Sequence, residues 1–187
     1  VHGVAVARSG VESGAIAAPA AVVKSSAGVE LLADEIAASM AITADGIEVV
    51  ADGDGLVALP GLFDDVSASV LVDPTDFQGR LALVHHAVST GEWEGLLLEP
   101  SGRVALVRMA DGAEEELKKT SMLFPSEPVR IEVAASSGHF KGFIDGDLIV
   151  HGHGDSGAPG RVALYFSGTG ILRLTDFSAD AAAEISH

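Results

Sequence analysis

Apolar and polar positions alternate with a period of two along most of this chain, most regularly from Val129 to Ala179. Val129, Ile131 and Val133 alternate with Arg130, Glu132 and Ala134, which puts the apolar side chains on one face of a half-buried strand. Ser136-Ser137-Gly138 breaks the run. A strand over Phe140 to Ile144 then reaches Asp145-Gly146, a dipeptide suited to the positive backbone angles of a tight hairpin, and Leu148 to His151 returns on the far side. After a glycine-rich loop, Val162, Leu164 and Phe166 alternate with Ala163, Tyr165 and Ser167, and Ile171 to Phe177 gives one more strand. The stretch predicts an antiparallel meander.

The same rhythm runs through the middle of the chain. Gly46 to Val50 and Leu56 to Leu59 read as two strands around Ala51-Asp52-Gly53-Asp54-Gly55, and Val66 to Val72 as another. Leu81 to Ala87, Trp93 to Leu98 and Val104 to Met109 continue it, with turns at Ser89-Thr90-Gly91, Pro100-Ser101-Gly102 and Asp111-Gly112. Strands about every 8 to 12 residues are the spacing of an all-β sandwich or barrel. Val29 to Met40 tolerates a helical reading, with Leu31, Ile36 and Met40 near one face, beside a strand reading of its first half. Glu114 to Thr120 reads as one helical turn or as a solvent-facing edge strand whose lysines discourage sheet-to-sheet aggregation. Residues 1–28 are rich in small side chains, with short strands expected at Val4 to Ala7 and Ala21 to Lys24. They read as an N-terminal arm, or added strands, that depends on the body of the domain or on a neighbouring subunit for its order. Residues 29–187 read as one sandwich domain, ending in a frayed tail beyond Asp180.

Phe143-Ile144-Asp145-Gly146, Gly160-Arg161-Val162-Ala163-Leu164-Tyr165 and Thr175-Asp176-Phe177 follow one another in an order that resembles the C-terminal half of the concanavalin A-like lectin/glucanase superfamily, including laminin G-like domains. The phrase Leu59 to Val70 is similar to an early strand of those families, and the resemblance spans residues 58 to 179. It implies an all-β fold: a two-sheet antiparallel β-sandwich, or jelly roll, with at most one short helix. The matching residues have local reasons. Asp145-Gly146 makes a hairpin, Gly160 clears a strand entrance and Phe177 plugs one end of the core. They speak for architecture rather than activity.

Charge narrows the functional classes. The formal charge of −16 comes from 27 acidic residues against 11 basic ones. A field of that sign repels phosphate backbones and anionic membrane surfaces, so neither nucleic acid nor membrane insertion is expected. No apolar run approaches the roughly 20 residues that a membrane helix needs, and a soluble protein is expected. The acidic surface reads first as solvation, with cation binding or life in high salt as alternatives. Cysteine is absent, which removes disulfides and thiol metal sites.

Candidate chemistry follows. Gly154-Asp155-Ser156-Gly157-Ala158-Pro159 is similar to the nucleophile segment of chymotrypsin-like serine proteases, but Ala158 replaces a glycine, and His85-His86 lacks the histidine segment of that family. A catalytic Ser156 is disfavoured. Glycosidase action needs two carboxylates at a set distance. The Glu-x-Asp-x-x-Glu run of the superfamily's glucanases is missing, and Glu92-Trp93-Glu94 has the wrong spacing. His151 and His153, two apart, lie on one strand face, as neutral imidazoles do when they bind a transition metal; only the fold can bring His85, His86, His139 or an acid near them. Calcium, which lectin-like sandwiches often hold in loops, would draw its oxygen ligands from Asp52 and Asp54, Asp64 and Asp65, or Asp145 and Asp147. For a carbohydrate, the resemblance implies an aromatic platform beside hydroxyl-binding groups. Trp93 is the platform candidate, against a packing role on the sheet, and Arg108, Arg130 and Arg173 are the donors.

These observations lead to a non-catalytic recognition or assembly module that binds glycan or protein at a sheet face or loop edge. It would sit outside the cell or on a particle surface, with a homo-oligomer as one form of assembly. A structural subunit of a virion or extracellular assembly is the alternative, and a glycoside or serine hydrolase the disfavoured one. The scarcity of exposed-type aromatics, with one tryptophan and one tyrosine, moves weight from sugar toward protein contact or a structural role.

Overall fold

Two-residue turns ending in glycine set the hairpins. Ala27-Gly28, Asp111-Gly112, Ser137-Gly138 and Asp145-Gly146 all hold positive φ at both positions, with Asp145 at 50° and Gly146 at 87°. That is the twist-matched turn for antiparallel neighbours. The computed structural model describes residues 22–33 and 38–182. These form twelve strands: β1 (Val22–Ser26), β2 (Val29–Ala33), β3 (Ala38–Thr43), β4 (Gly46–Ala58), β5 (Val66–Ser89), β6 (Glu92–Leu98), β7 (Arg103–Ala110), β8 (Ala113–Ser121), β9 (Val129–Ser136), β10 (His139–Ile144), β11 (Asp147–His153) and β12 (Arg161–Ala181). All pairings are antiparallel.

The long strands β4, β5 and β12 belong to both layers of a sandwich. In the first layer β3 pairs with β4 along 46–51, the far half of β12 lies between β4 and the start of β5, and β9, β10 and β11 continue outward. In the second, β1 and β2 precede β4 along 55–58, the near half of β12 lies beside β5 along 81–87, and β6, β7 and β8 follow. Side chains from both layers, among them Val49, Ile131, Phe140, Leu83, Leu96 and Phe166, fill the space between them. This is the expected jelly-roll sandwich.

The bend has a specific cause. Gly168 stands opposite Gly53 on one side and Gly79 on the other, so three adjacent strands place glycine in a single row. Gly53 and Gly79 hold φ of 132° and 149°. A Cβ on Gly168 would strike the Gln78 carbonyl oxygen and the Gly79 Cα. Backbones therefore meet at a distance that side chains would forbid, which lets the sheet fold over.

Several expectations change here. The gaps at Ala51 to Gly55, Asp73 to Arg80 and Gly168-Thr169-Gly170 are bends within β4, β5 and β12 rather than breaks between strands. The helical reading of Val29 to Met40 is replaced by β2 and β3, because one edge of β4 offers hydrogen-bond partners to each in turn. Residues 34–37 of that stretch lie outside the described residues. Glu114 to Thr120 is the edge strand β8, exposed along most of its length. The strand expected at Ala21 to Lys24 is β1 over residues 22–24, whereas Ala21, Val4 to Ala7 and the end of the tail lie outside the described residues.

Candidate functional site

Polar groups gather where the ends of β5, β6 and β7 meet the loop between β11 and β12. His85, Glu94, Arg108 and Glu115 stand opposite one another in successive strand pairs across β5, β6, β7 and β8. The two-residue period that sends Leu83, Leu96 and Leu106 into the core continues to these positions. The row is thus a charged end to an apolar layer.

Arg108 holds it together. Its Nε donates to Glu94 Oε1 at 2.7 Å, one Nη donates to the Asp155 carbonyl at 2.5 Å, and the other lies 3.6 Å from Glu115. Glu94 is only 5% exposed, and its Oε2 has no hydrogen-bond partner among the described residues. That oxygen lies 3.5 Å from His86 Nδ1 and 3.8 Å from His85 Nδ1. A buried carboxylate of this kind depends on its arginine.

The histidines are neighbours in sequence with different tasks. His85 is buried and its ring lies parallel to Phe140, centroids 5.8 Å apart. Burial first, then the charges of His86 and Arg108, depress its pKa to about 3, so it is a neutral imidazole. His86 sits where the β5–β6 register shifts, with φ of 52°. This backbone angle is uncommon outside glycine and costs about 1–3 kcal/mol. The Asp64 carbonyl, 2.8 Å from His86 Nε2, can only accept, so that nitrogen carries a proton. In neutral His86 this leaves Nδ1 as the acceptor for His85 Nδ1–H at 2.5 Å.

The loop of residues 154–160 rests on this row because it is rich in glycine. A Cβ on Gly157 would approach Glu94 Oε1 to 3.2 Å, and one on Gly160 would collide with the His86 backbone. Ser156 is exposed on this loop. Both ring nitrogens of His86 are engaged, with Asp64 and with His85, so neither is free for the serine hydroxyl. Between the loop and the strand ends lies a cleft of 150 Å³, with Glu92, Trp93, Arg108, Gly157 and Ala158 in its lining.

The four candidate ligand residues are not brought together. Arg108 lines the cleft. Trp93 also borders it but is 1% exposed, donates its indole N–H to the Thr90 carbonyl and packs on Tyr165, centroids 4.8 Å apart. Its ring is packed against the sheet rather than presented as a flat platform. It belongs to a second apolar cluster, on the face of the second layer opposite the main core, with Leu56, Ala82, Leu97, Ala105 and Tyr165. Arg130 and Arg173 point outward from the first layer, held by Ser69 and Asp176 and by Asp76 and Glu48 respectively.

The carboxylates suggested for calcium are also apart. Asp52 and Asp54 flank the bend on β4, where Asp54 accepts the Ser167 hydroxyl, whereas Asp145 caps the β10–β11 turn by accepting the Arg130 N–H. Two groups of metal-ligating side chains do converge among the described residues: His85, His86 and Glu94, and the exposed trio His139, His151 and His153. The sequence carried a signal for the buried row. Two histidines, a glutamate and an arginine interrupt the apolar runs Leu81 to Ala87, Trp93 to Leu98 and Val104 to Met109, but only strand pairing aligns them.

These features define a jelly-roll β-sandwich with a polar cleft at one end. No protein-family model matches the chain, and no curated protein matches its sequence. Solved structures do match its fold. Carbohydrate-binding module CBM66 from Bacillus subtilis has 14% identity and a TM-score of 0.67, over 78% of this chain and 93% of that one. A Bacillus subtilis protein of unknown function with a galectin-like fold has 13% identity and a TM-score of 0.61, over 79% and 88%. The carbohydrate recognition domain of Emp47p has 8% identity and a TM-score of 0.61, over 84% and 90%. The fold is the one that the sequence resemblance implied.

Proposed function

We propose that this chain is a non-catalytic recognition module that takes a hydroxyl-rich ligand, a glycan, at the cleft beneath the 154–160 loop. The observation that carries the reading is the Glu94–Arg108 pair, set at the floor of a cleft whose rim adds Glu92 and backbone groups of a glycine-rich loop. Arg108 is fixed at both ends, by Glu94 and by the Asp155 carbonyl, so it offers its remaining donor capacity without losing side-chain freedom on binding. Two of the structures similar in fold are described as carbohydrate-binding, which favours sugar over other polar ligands. The cleft is small and has a single aromatic edge, and this suits a terminal sugar or a short branch better than a long chain laid across a sheet. A module of this kind works outside the cell or on a particle surface.

The test is a glycan array followed by calorimetry on the best ligand, with Glu92→Ala and Arg108→Lys as variants. Binding that weakens in both variants supports the site. A silent array, together with a mass in solution that grows with concentration, would replace this reading with an assembly subunit.

A further inference from the structure

His139 and His153 face one another directly across the β10–β11 hairpin, and His151 lies two residues from His153 on the same face of β11. The three rings crowd together, with centroids 4.6 Å apart for His139 and His153, 4.7 Å for His151 and His153, and 5.6 Å for His139 and His151. All three are exposed, on the outward face of the first layer. β11 pairs with β10 alone, so the cluster stands at a sheet edge.

We propose that His139, His151 and His153 form a binding site for a divalent transition metal such as zinc, with a fourth position open to solvent. One potential ligand atom from each side chain falls within 4.8 Å of the others. His139 Nδ1 and His151 Nε2 are 3.4 Å apart. That is long for a hydrogen bond between imidazoles. It matches the edge of about 3.3 Å that zinc–nitrogen bonds of about 2.05 Å give in a tetrahedron. Imidazole-only ligation selects zinc, copper or nickel over calcium and magnesium, which take oxygen.

The backbone explains why the cluster is preformed. The Ser137-Gly138 turn fixes the pairing of His139 with Ser136, and Gly154 N–H donates to the Gly138 carbonyl, which closes the end of the hairpin beside His153. Inward-facing Gly152 leaves room for Leu106 and Leu117 of the opposite layer, so the strand packs tightly while His151 and His153 point out. Lys141, opposite His151, is the charged neighbour on this face, and its flexible stem lets the ammonium swing away from an ion. The buried trio His85, His86 and Glu94 fits a metal less well. Its two Nδ1 atoms are 2.5 Å apart and spend their capacity on each other, and His86 Nε2 is already engaged with Asp64.

An ion held here would pin β10 to β11 immediately before the loop that covers the polar cleft. It would brace that loop whatever the cleft binds.

The test is calorimetric titration of zinc into the untagged, chelator-treated full chain, with cobalt as a spectroscopic probe and calcium as the control. Expected are one equivalent of zinc bound, the visible absorption of tetrahedral cobalt, no response to calcium, and a loss of zinc affinity of at least about tenfold in His139→Ala and in His153→Ala. The metal-free variants should melt with the wild type, because both positions are exposed. A smaller loss of affinity in either variant, or no saturation by about 100 μM zinc, a concentration beyond which a specific site would have little meaning, overturns the proposal. Glycan binding plays no part in this readout, so either reading can fail alone.

Discussion

His85 shows what a single buried imidazole does to stability. Its folded pKa of about 3 lies below the ordinary 6.5, so between those values the unfolded chain binds a proton that the folded chain refuses. The contribution is complete above about pH 6.5 and drains away as pH falls toward 3, by roughly 2 kcal/mol at pH 5. The groups facing it are His86, Glu94, Arg108 and the Phe140 ring; Glu94 Oε2, 3.8 Å from Nδ1, favours the proton, but burial and the Arg108 charge outweigh it. Denaturant unfolding at pH 7 and pH 5 should therefore show a loss in wild type that shrinks in His85→Leu; equal losses in both would assign the acid sensitivity elsewhere. Glu94 makes the complementary case. With its carboxylate buried and Arg108 a quarter exposed, Arg108→Ala should cost about 2–4 kcal/mol, chiefly by leaving the charge uncompensated. Adding Glu94→Gln in the same chain should recover part of that loss, and a purely additive double mutant would show that the two side chains do not depend on each other.

The elements were legible wherever alternation alone decides, and illegible where three strands had to be considered at once. The β9–β10–β11 meander and its Asp145-Gly146 turn lie where the alternating pattern puts them. Asp52-Gly53-Asp54-Gly55, the stretch around Gly79 and Gly168-Thr169-Gly170 each resemble a turn in isolation, because glycine in a strand weakens it. Set side by side, Gly53, Gly168 and Gly79 are one crease. Nothing within any single window reveals that. The crease also predicts a sharp difference between glycines. Gly168→Ala drives a Cβ into the backbone at Gln78 and Gly79 and should cost about 1–3 kcal/mol, read as a lowered denaturation midpoint with unchanged slope. Gly112→Ala meets no atom within 4 Å, so its cost should be the smaller one of a positive φ alone, here 75°. If the two variants are equally stable, the crease is not held by close backbone approach.

At the scale of the molecule, the candidate site was half visible. The residues were there to be seen as polar interruptions of apolar strands, but Trp93, Arg108, Arg130 and Arg173 share a chemistry without sharing a surface. A period of two sends Trp93 to the opposite face of its layer from Glu94, and the sandwich turns Arg130 and Arg173 outward from the other layer. Charge, by contrast, was read from composition alone and can now be placed. Every arginine among the described residues, Arg80, Arg103, Arg108, Arg130, Arg161 and Arg173, is already in an ion pair. With a formal charge of −16, few basic side chains remain to offset the surplus acids. Salt weakens both terms, but exposed pairs contribute only about 0–1 kcal/mol each, whereas the surplus repulsion is summed over the whole surface. Repulsion should dominate. The melting temperature is therefore expected to rise as sodium chloride increases from about 10 mM to about 500 mM, over which the screening length falls from roughly 30 Å to about 4 Å. A melting temperature that falls over the same range would mean that the arginine pairs, above all the Arg103 cluster with Glu99, Glu114 and Glu116, outweigh the surplus.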